Sequence, residues 1–185
     1  KSIVQQAKFP VYRESPQKMY IPRYYGIKNY GKPLTYKIND GDDIDLPFKG
    51  ELRDYQVNIV NTFMKSVENN NGGGLLEVPC GRGKTICALN IISKLKKKTL
   101  VIVHKGFLLN QWIERIEQFL PNAKIGKIQG QVIDIEDKDI VIGMLQSLSM
   151  KSYPSDLFSN FGLTIIDECH HISSEVFSQA LQKIV

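Results

Sequence analysis

The chain has 185 residues, 42% of them hydrophobic and 23% charged, and carries a formal net charge of +5. That length suits one substantial domain with an appendage, and the composition is that of a globular protein rather than a disordered or fibrous one. No apolar run approaches the roughly 20 residues that span a membrane, and no charged-then-apolar signal segment opens the chain, so no membrane partner is expected.

The charge is unevenly spread. Residues 1–100 carry 17 Lys/Arg against 9 Asp/Glu, a net +8, whereas residues 101–185 carry 7 against 10, a net −3. A basic front half suits a polyanionic partner. The three cysteines, Cys80, Cys87 and Cys169, cannot all pair, and two lie in or beside a glycine-rich loop. Reduced thiols and an intracellular setting follow, cytoplasmic or nuclear, with a viral origin left open. The first residue is Lys1 rather than Met, as expected of a processed terminus or a piece of a longer chain.

Residues 1–46 have their own texture, with six tyrosines (12, 20, 24, 25, 30 and 36) and four prolines (10, 16, 22 and 33). Short patches, KMYIP at 18–22 and PLTYKI at 33–38, have strand character and are broken by Gly26 and Gly31. They predict a small β-rich accessory element ahead of a domain over 47–185. Its tyrosines either pack that element or, interleaved with Arg13, Lys18, Arg23 and Lys28, meet nucleic acid by phosphate contact and stacking. The acidic stretch 40–45 reads as a loop into the next unit.

Residues 52–67 place Ile59, Val60, Phe63, Met64 and Val67 on one face of a helix. At its start stands Leu52-Arg53-Asp54-Tyr55-Gln56, and a Gln amide can both donate to and accept from the edge of adenine. Such a residue is otherwise simply solvated. The run NNNGGG at 69–74 ends the helix and gives a flexible connection.

Residues 75–92 read LLEVPCGRGKTICALNII. An apolar strand, Leu75, Leu76 and Val78, meets the turn Gly81-Arg82-Gly83, then Lys84-Thr85, then a helix. Glycines in that turn let successive N–H groups converge on an anion, and the helix aims its positive end at the same point. Lys84 supplies a mobile cation for outer phosphates and the Thr85 hydroxyl a ligand for Mg²⁺. One slot departs from the general phosphate-loop pattern, since Val78 stands at its first glycine.

The helix ends in Lys94, Lys96, Lys97 and Lys98, cations that complement its dipole. TLVIVH at 99–104 is the continuous apolar run of a strand buried on both faces. Residues 106–120 follow as a helix, with Leu109, Trp112, Ile113, Ile116 and Phe119 on one side and Trp112 in the core. Strands are expected at 123–128, 139–143 and 162–167, with a short helix at 155–161. Strands alternating with helices predict an α/β fold, a mostly parallel sheet covered on both faces with its loops at the carboxyl ends.

The last strand, GLTIID, delivers Asp167-Glu168-Cys169-His170. Asp167 follows Lys84 by 83 residues, so the carboxylates can serve one nucleotide site, one holding Mg²⁺ and the next polarising the attacking water. A zinc site built from Cys169, His170 and His171 with Cys80 is the minor alternative, since it lacks a second spaced ligand pair.

With these segments together, the chain resembles superfamily two helicases of the DExH-box group. PCGRGKT (79–85) looks like their motif I and DECH (167–170) like motif II. LRDYQ (52–56) is similar to the adenine-reading segment of the branch holding the xeroderma pigmentosum group B helicase and related viral and phage DNA helicases. VIVHKGFLLNQW (101–112) looks like motif Ia, and IVIGMLQSL (140–148) like the strand and loop bearing the next nucleic-acid contact. Five segments occur in the family's order over residues 50–185. Asp54 and His104 stand where that branch often has Pro, and nothing resembles the Ser-Ala-Thr motif or a second motor domain.

The resemblance implies a first RecA-like motor domain of a longer protein, using ATP and Mg²⁺. It implies that Cys80, Gly81, Arg82, Gly83, Lys84 and Thr85 bind phosphates, with Thr85 and Asp167 at the metal and Glu168 activating water. Arg53 and Gln56 would read adenine, and His170 would couple the nucleotide to the nucleic-acid side. Lys105, Gly106, Gln129, Gly130, Gln146 and Ser147 would contact nucleic acid, DNA being favoured over RNA. A small-molecule kinase, and an ATP-binding nucleic-acid module without turnover, are the alternatives.

Overall fold

The computed structural model describes residues 10, 12–35, 37–69, 72–154, 156–171, 176–177 and 180–181. They fall into two compact units, Lys1–Ile38 and Asn39–Val185.

In the first unit, strands β1 (Arg13–Ser15) and β2 (Lys18–Tyr20) form an antiparallel hairpin with Arg13 opposite Tyr20. The Ser15 side chain fixes the turn, its Oγ accepting from the Lys18 N–H at 3.1 Å. Helix α1 (Arg23–Tyr30) follows, where a strand break was expected. Pro22 sets its entry, and its carbonyl accepts from the Gly26 N–H at 2.9 Å. Gly26 therefore sits inside a helix, and Gly31, at φ 84°, ends it. Residues 33–35 and 37–38 form no strand, because no neighbouring strand among the described residues offers them a ladder. Tyr12, Tyr20, Tyr24, Tyr25 and Tyr30 all lie exposed, so they do not form a buried core for this element. Tyr36 lies outside the described residues.

The second unit is an α/β layer structure. Helices α2 (Asp54–Asn69), α3 (Lys84–Leu95) and α4 (Gly106–Phe119) and the short α5 (Leu145–Met150) surround a five-stranded sheet. Its strands are β3 (Thr99–Val103), β4 (Ile125–Gln129), β5 (Val132–Asp134), β6 (Ile140–Met144) and β7 (Leu163–Ile166), in the order β5-β4-β6-β3-β7. All pairings are parallel except β4 with β5, a short hairpin the sequence reading did not separate.

The pleat sends alternate residues to opposite faces. Val101, Val103, Ile140 and Ile142 join Leu89, Ile92, Trp112 and Ile116 beneath α3 and α4. Leu100, Ile102 and Val141 join Leu148, Phe158 and Phe177 on the other face. Every residue of β3 is buried, which is why its sequence is apolar without alternation.

Three local expectations fail for physical reasons. Residues 75–78 form no strand: Leu75 is exposed while Val78 is buried, and their backbone joins no ladder. Residues 156–160 are successive turns rather than a helix, with N–H groups bonding three residues back and the Ser159 hydroxyl taking the Asp156 carbonyl. Residues 145–150 are helical, a single turn and a half that follows β6 directly.

The acidic stretch 40–45 belongs with the sheet rather than with the preceding unit. Ile44 N–H donates to the Lys96 carbonyl and Lys98 N–H to the Asp42 carbonyl. Lys96 and Lys97 pair with Asp45 and Asp43 at 2.8 and 2.7 Å, so these lysines have partners beyond the helix dipole. The contact is close: a Cβ at Gly162 would collide with the Asp40 carbonyl.

Candidate nucleotide and nucleic-acid site

The loop before α3 is shaped by two left-handed glycines, Gly81 and Gly83, each at φ 78°. An L side chain resists that region. Gly83 is also the N-cap of α3 and contributes no side-chain acceptor, so the first N–H groups of the helix remain available to an anion. A Cβ at Gly81 would meet nothing within 4 Å, so the space before the loop is open.

Gln56 braces this loop from α2. It is only 4% exposed; its Oε1 accepts from the Arg53 N–H at 3.0 Å and its Nε2 donates to the Arg82 carbonyl at 3.2 Å. The Tyr55 hydroxyl also reaches the Arg82 carbonyl, at 3.4 Å, and the Arg82 guanidinium lies 5.5 Å from the Tyr55 ring. A cleft of about 260 Å³ opens here, lined by Arg53, Tyr55, Gln56, Arg82 and Phe119 among others. The Gln56 amide is thus held by the chain's own backbone, leaving one N–H and part of one oxygen for a base.

β7 delivers the carboxylates. Asp167 N–H donates to the Ile102 carbonyl, continuing the ladder one step past the strand. The chain then reverses at Glu168, which has φ 55°, and its N–H returns to Asp167 Oδ1 at 3.0 Å. The reversal brings Glu168 Oε1 within 3.1 Å of Lys84 Nζ, while His170 Nδ1 lies 3.2 Å from Oε2. The Lys84 hydrogen bond holds the Glu168 carboxyl below the usual carboxylate range, and the same bond raises the Lys84 ammonium. One contact therefore joins the segment carrying Lys84 and Thr85 to the segment carrying Asp167 and Glu168.

Asp167 has a partner that the sequence reading missed. The Trp112 indole N–H donates to Asp167 Oδ2 at 2.9 Å, from a residue only 2% exposed. Trp112 is in the core, as expected, but a buried indole N–H also needs an acceptor. That requirement was the available signal.

The donor set fits Mg²⁺, which prefers one or two carboxylates or hydroxyls with water and substrate phosphates. Among the described residues no group of three His, Cys, Asp or Glu side chains converges to hold a metal, and the His171 side chain of the zinc alternative lies outside them. Cys80, Cys87 and Cys169 are free thiols, and Cys80 is exposed on the loop.

The other site residues gather at the carboxyl ends of β3, β4 and β6, the edge to which parallel β7 also brings Asp167. Lys105 is the N-cap of α4, and Gly106 is its first residue. Gln129 ends β4, and Gly130 turns at φ 56°. Gln146 Nε2 donates to the His104 carbonyl at 3.1 Å, and Gly130 N–H to Ser147 Oγ at 2.9 Å. These two bonds tie the loops after β3, β4 and β6 into one surface.

A phosphate-binding loop opposite paired carboxylates, on a mostly parallel sheet, defines a P-loop nucleotide-binding domain. A family model described as "Type III restriction enzyme, res subunit" matches residues 49–185, and the chain belongs to that family. It is 38% identical over 178 residues to a protein of Acanthamoeba polyphaga mimivirus provisionally named an ATP-dependent RNA helicase, covering 95% of this chain and 34% of that one. It is 33% identical over 161 residues to the DNA 3'-5' translocase XPB2 of Sulfurisphaera tokodaii, covering 84% of this chain and 34% of that protein. The chain thus spans about a third of the length of these relatives. In fold it is similar to the SWI2/SNF2 ATPase core of Sulfolobus solfataricus in complex with double-stranded DNA, with a TM-score of 0.63 and 22% identity over 77% of this chain and 31% of that one.

Proposed function

We propose that this chain is the ATP-binding half of a nucleic-acid helicase or translocase, with DNA the favoured track and residues 47–185 as its first motor domain. The observation that carries the reading is the 3.1 Å contact between Lys84 and Glu168. It sets the phosphate-loop cation beside the carboxylate that would act on water, at the edge where the Lys105, Gly130 and Ser147 loops meet. Relatives that include a DNA translocase, and a fold neighbour solved with double-stranded DNA, support the partner. The viral relative and the free thiols support an intracellular setting.

In this reading the Gly81–Gly83 amides and Lys84 bind the β- and γ-phosphates of ATP, and Thr85 and Asp167 hold Mg²⁺. The bound metal neutralises charge that develops on the phosphates. Glu168 orients the attacking water and takes its proton once the phosphates have drawn Lys84 away from it. Gln56, with Arg53 beside it, meets adenine through its remaining donor and acceptor. His170, on Glu168 Oε2, relays the state of the site toward the nucleic-acid face.

A second RecA-like domain is the implied partner within the longer chain. Arg82 packs on Tyr55 at the mouth of the base cleft, away from a role in closing over the γ-phosphate. An arginine supplied from outside is worth on the order of 10³ to 10⁵ in rate. The test is steady-state ATPase of the full-length protein titrated with duplex DNA, single-stranded DNA and RNA, beside the 185-residue chain alone. Stimulation by a polynucleotide is expected only in the full-length protein. No stimulation by any polynucleotide refutes the motor reading, and equal rates in the two chains refute the split site.

A further inference from the structure

We propose that Trp112 is a positioning residue for the Asp167 carboxylate, and that helix α4 links the nucleic-acid surface at its N-terminus to the metal site through that indole. The proposal rests on the motor reading above and adds to it a named physical connection.

Three observations carry it. First, the bond from Trp112 Nε1 to Asp167 Oδ2 is short, at 2.9 Å, and it is shielded, because the indole is almost fully buried. A hydrogen bond to a charged group is stronger and more directional than a neutral one. Second, the Glu168 N–H takes the other oxygen, Oδ1, at 3.0 Å. The two donors, one on each oxygen, define the plane of the carboxylate, so the lone pairs left for a cation or its waters point in a set direction. Removing the indole donor frees the carboxylate to rotate about its last bond.

Third, Trp112 belongs to α4, whose N-cap is Lys105. Seven helical steps separate them, about 10 Å at 1.5 Å per residue. The helix is anchored along the way by Leu109, Trp112 and Ile116, which are buried against β3 and β6. A helix packed in this manner moves as a body, so a displacement at Lys105 reaches the indole rather than dissipating in a loop. The surface that holds Lys105 also includes the His104 carbonyl, which is bonded to Gln146. Strand order brings about the meeting of α4 and Asp167, since β3, which precedes α4, lies directly beside β7.

The experiment measures Mg²⁺ dependence by equilibrium binding in the full-length protein, with a non-hydrolysable ATP analogue in a calorimeter. Trp112→Phe keeps most of the ring volume and removes the donor. The Mg²⁺ concentration at half effect is expected to rise on the order of tenfold, as for loss of one hydrogen bond to a charged group. Analogue binding in EDTA is expected to stay unchanged. Asp167→Asn should also raise the Mg²⁺ requirement, and adding Trp112→Phe to it should have little further effect, because the two residues act as a unit. Ile116→Val, a buried change on the same helix, controls for general loosening and should leave the Mg²⁺ requirement alone.

An unchanged Mg²⁺ requirement in Trp112→Phe, or a shift equally large in Ile116→Val, reduces Trp112 to packing and overturns the proposal. If Asp167→Asn has no effect, the metal role of Asp167 fails and the proposal fails with it. That result is distinct from a loss confined to Trp112. Should the Phe variant fold too poorly to titrate, the parent supplies a second measurement in the indole N–H proton resonance of Trp112. It is expected to shift when Mg²⁺ is added to the analogue complex, and again when duplex DNA is added. A resonance that ignores both overturns the proposal.

Discussion

Lys84 and Glu168, 84 residues apart in sequence, hold each other by a 3.1 Å ion pair across the site. Each side chain remains about a third exposed, so the pair is available to exchange partners. In the proposed reading, phosphate groups entering the loop would compete with Glu168 for the same ammonium. The carboxylate would be released toward water once the phosphates take the lysine.

That competition sets the expected behaviour of Glu168→Gln. Turnover in the full-length protein should fall by about 10² to 10⁴, the usual worth of a positioned base. Nucleotide affinity should rise rather than fall, because an amide holds Lys84 less tightly. An exposed pair is worth at most about 1 kcal/mol, so the gain is limited to about fivefold. Calorimetric titration alongside a turnover assay checks both; a clear loss of affinity contradicts the exchange of partners.

Lys84→Ala removes the mobile cation from among the backbone donors. Nucleotide affinity should drop on the order of tenfold to a hundredfold, as for a lost charged hydrogen bond. Circular dichroism should show the fold intact, since the side chain is only partly buried. Unchanged affinity in a folded variant removes the loop from the nucleotide site.

The same pair fixes a pH window. Glu168 is depressed by Lys84, so its contribution to stability is present above the ordinary carboxylate pKa of about 4.3 and is lost as pH falls through the lowered value. Lys84 is raised by Glu168, so its contribution is present below about 10.4 and is lost as pH rises through the raised value. The stability difference between parent and Glu168→Gln should be small and constant between these limits and vanish below the acidic one. Thermal melts from pH 3 to 8 measure it, and a difference that grows on acidification contradicts the assignment.

Gln56→Glu is nearly isosteric but places a carboxylate oxygen against the Arg82 carbonyl, where an N–H now donates. Two acceptors facing each other in a site this buried should cost about 1–3 kcal/mol. The variant should melt earlier and bind ATP more weakly, with its preference for ATP over GTP diminished. A variant that melts and binds like the parent shows that the brace between α2 and the loop contributes little.

Lys105→Ala tests the nucleic-acid surface. Its ammonium lies 5.9 Å from the exposed Phe107 ring, and the residue is the N-cap of α4 with no side-chain cap bond. Removal should weaken binding similarly for all duplex sequences and lower the slope of log affinity against log salt by about one. A loss that depends on base sequence points to base reading instead.

Much of this was legible from residue patterns. The uniformly apolar TLVIV announced a strand buried on both faces, and the glycine turn before Lys84 announced a loop at a helix start. DECH could be joined to that loop only by assuming a common edge, and the 3.1 Å contact of Lys84 with Glu168 supplies the junction. Other features were hidden for identifiable reasons. Gly26 inside α1 obscured a helix that has no buried residue and so no apolar stripe to read. Leu75 to Val78 has strand composition, yet a strand exists only where a second one pairs with it. The bracing of the loop by Gln56, and of Asp167 by Trp112, depends on which elements become neighbours, and local pattern does not encode that.

The sheet's final strand carries a practical consequence. Among the described residues β7 pairs with β3 alone, and none of them forms a strand on its other side along Leu163–Ile166. An apolar strand edge of this kind is a template for pairing with another chain. Preparations of the isolated 185-residue chain should therefore lose monomer as concentration rises. Charging that edge with Thr164→Lys is the substitution to make before any spectroscopy is attempted. The side chain at 164 is exposed, so a lysine there meets solvent and discourages a second chain from docking.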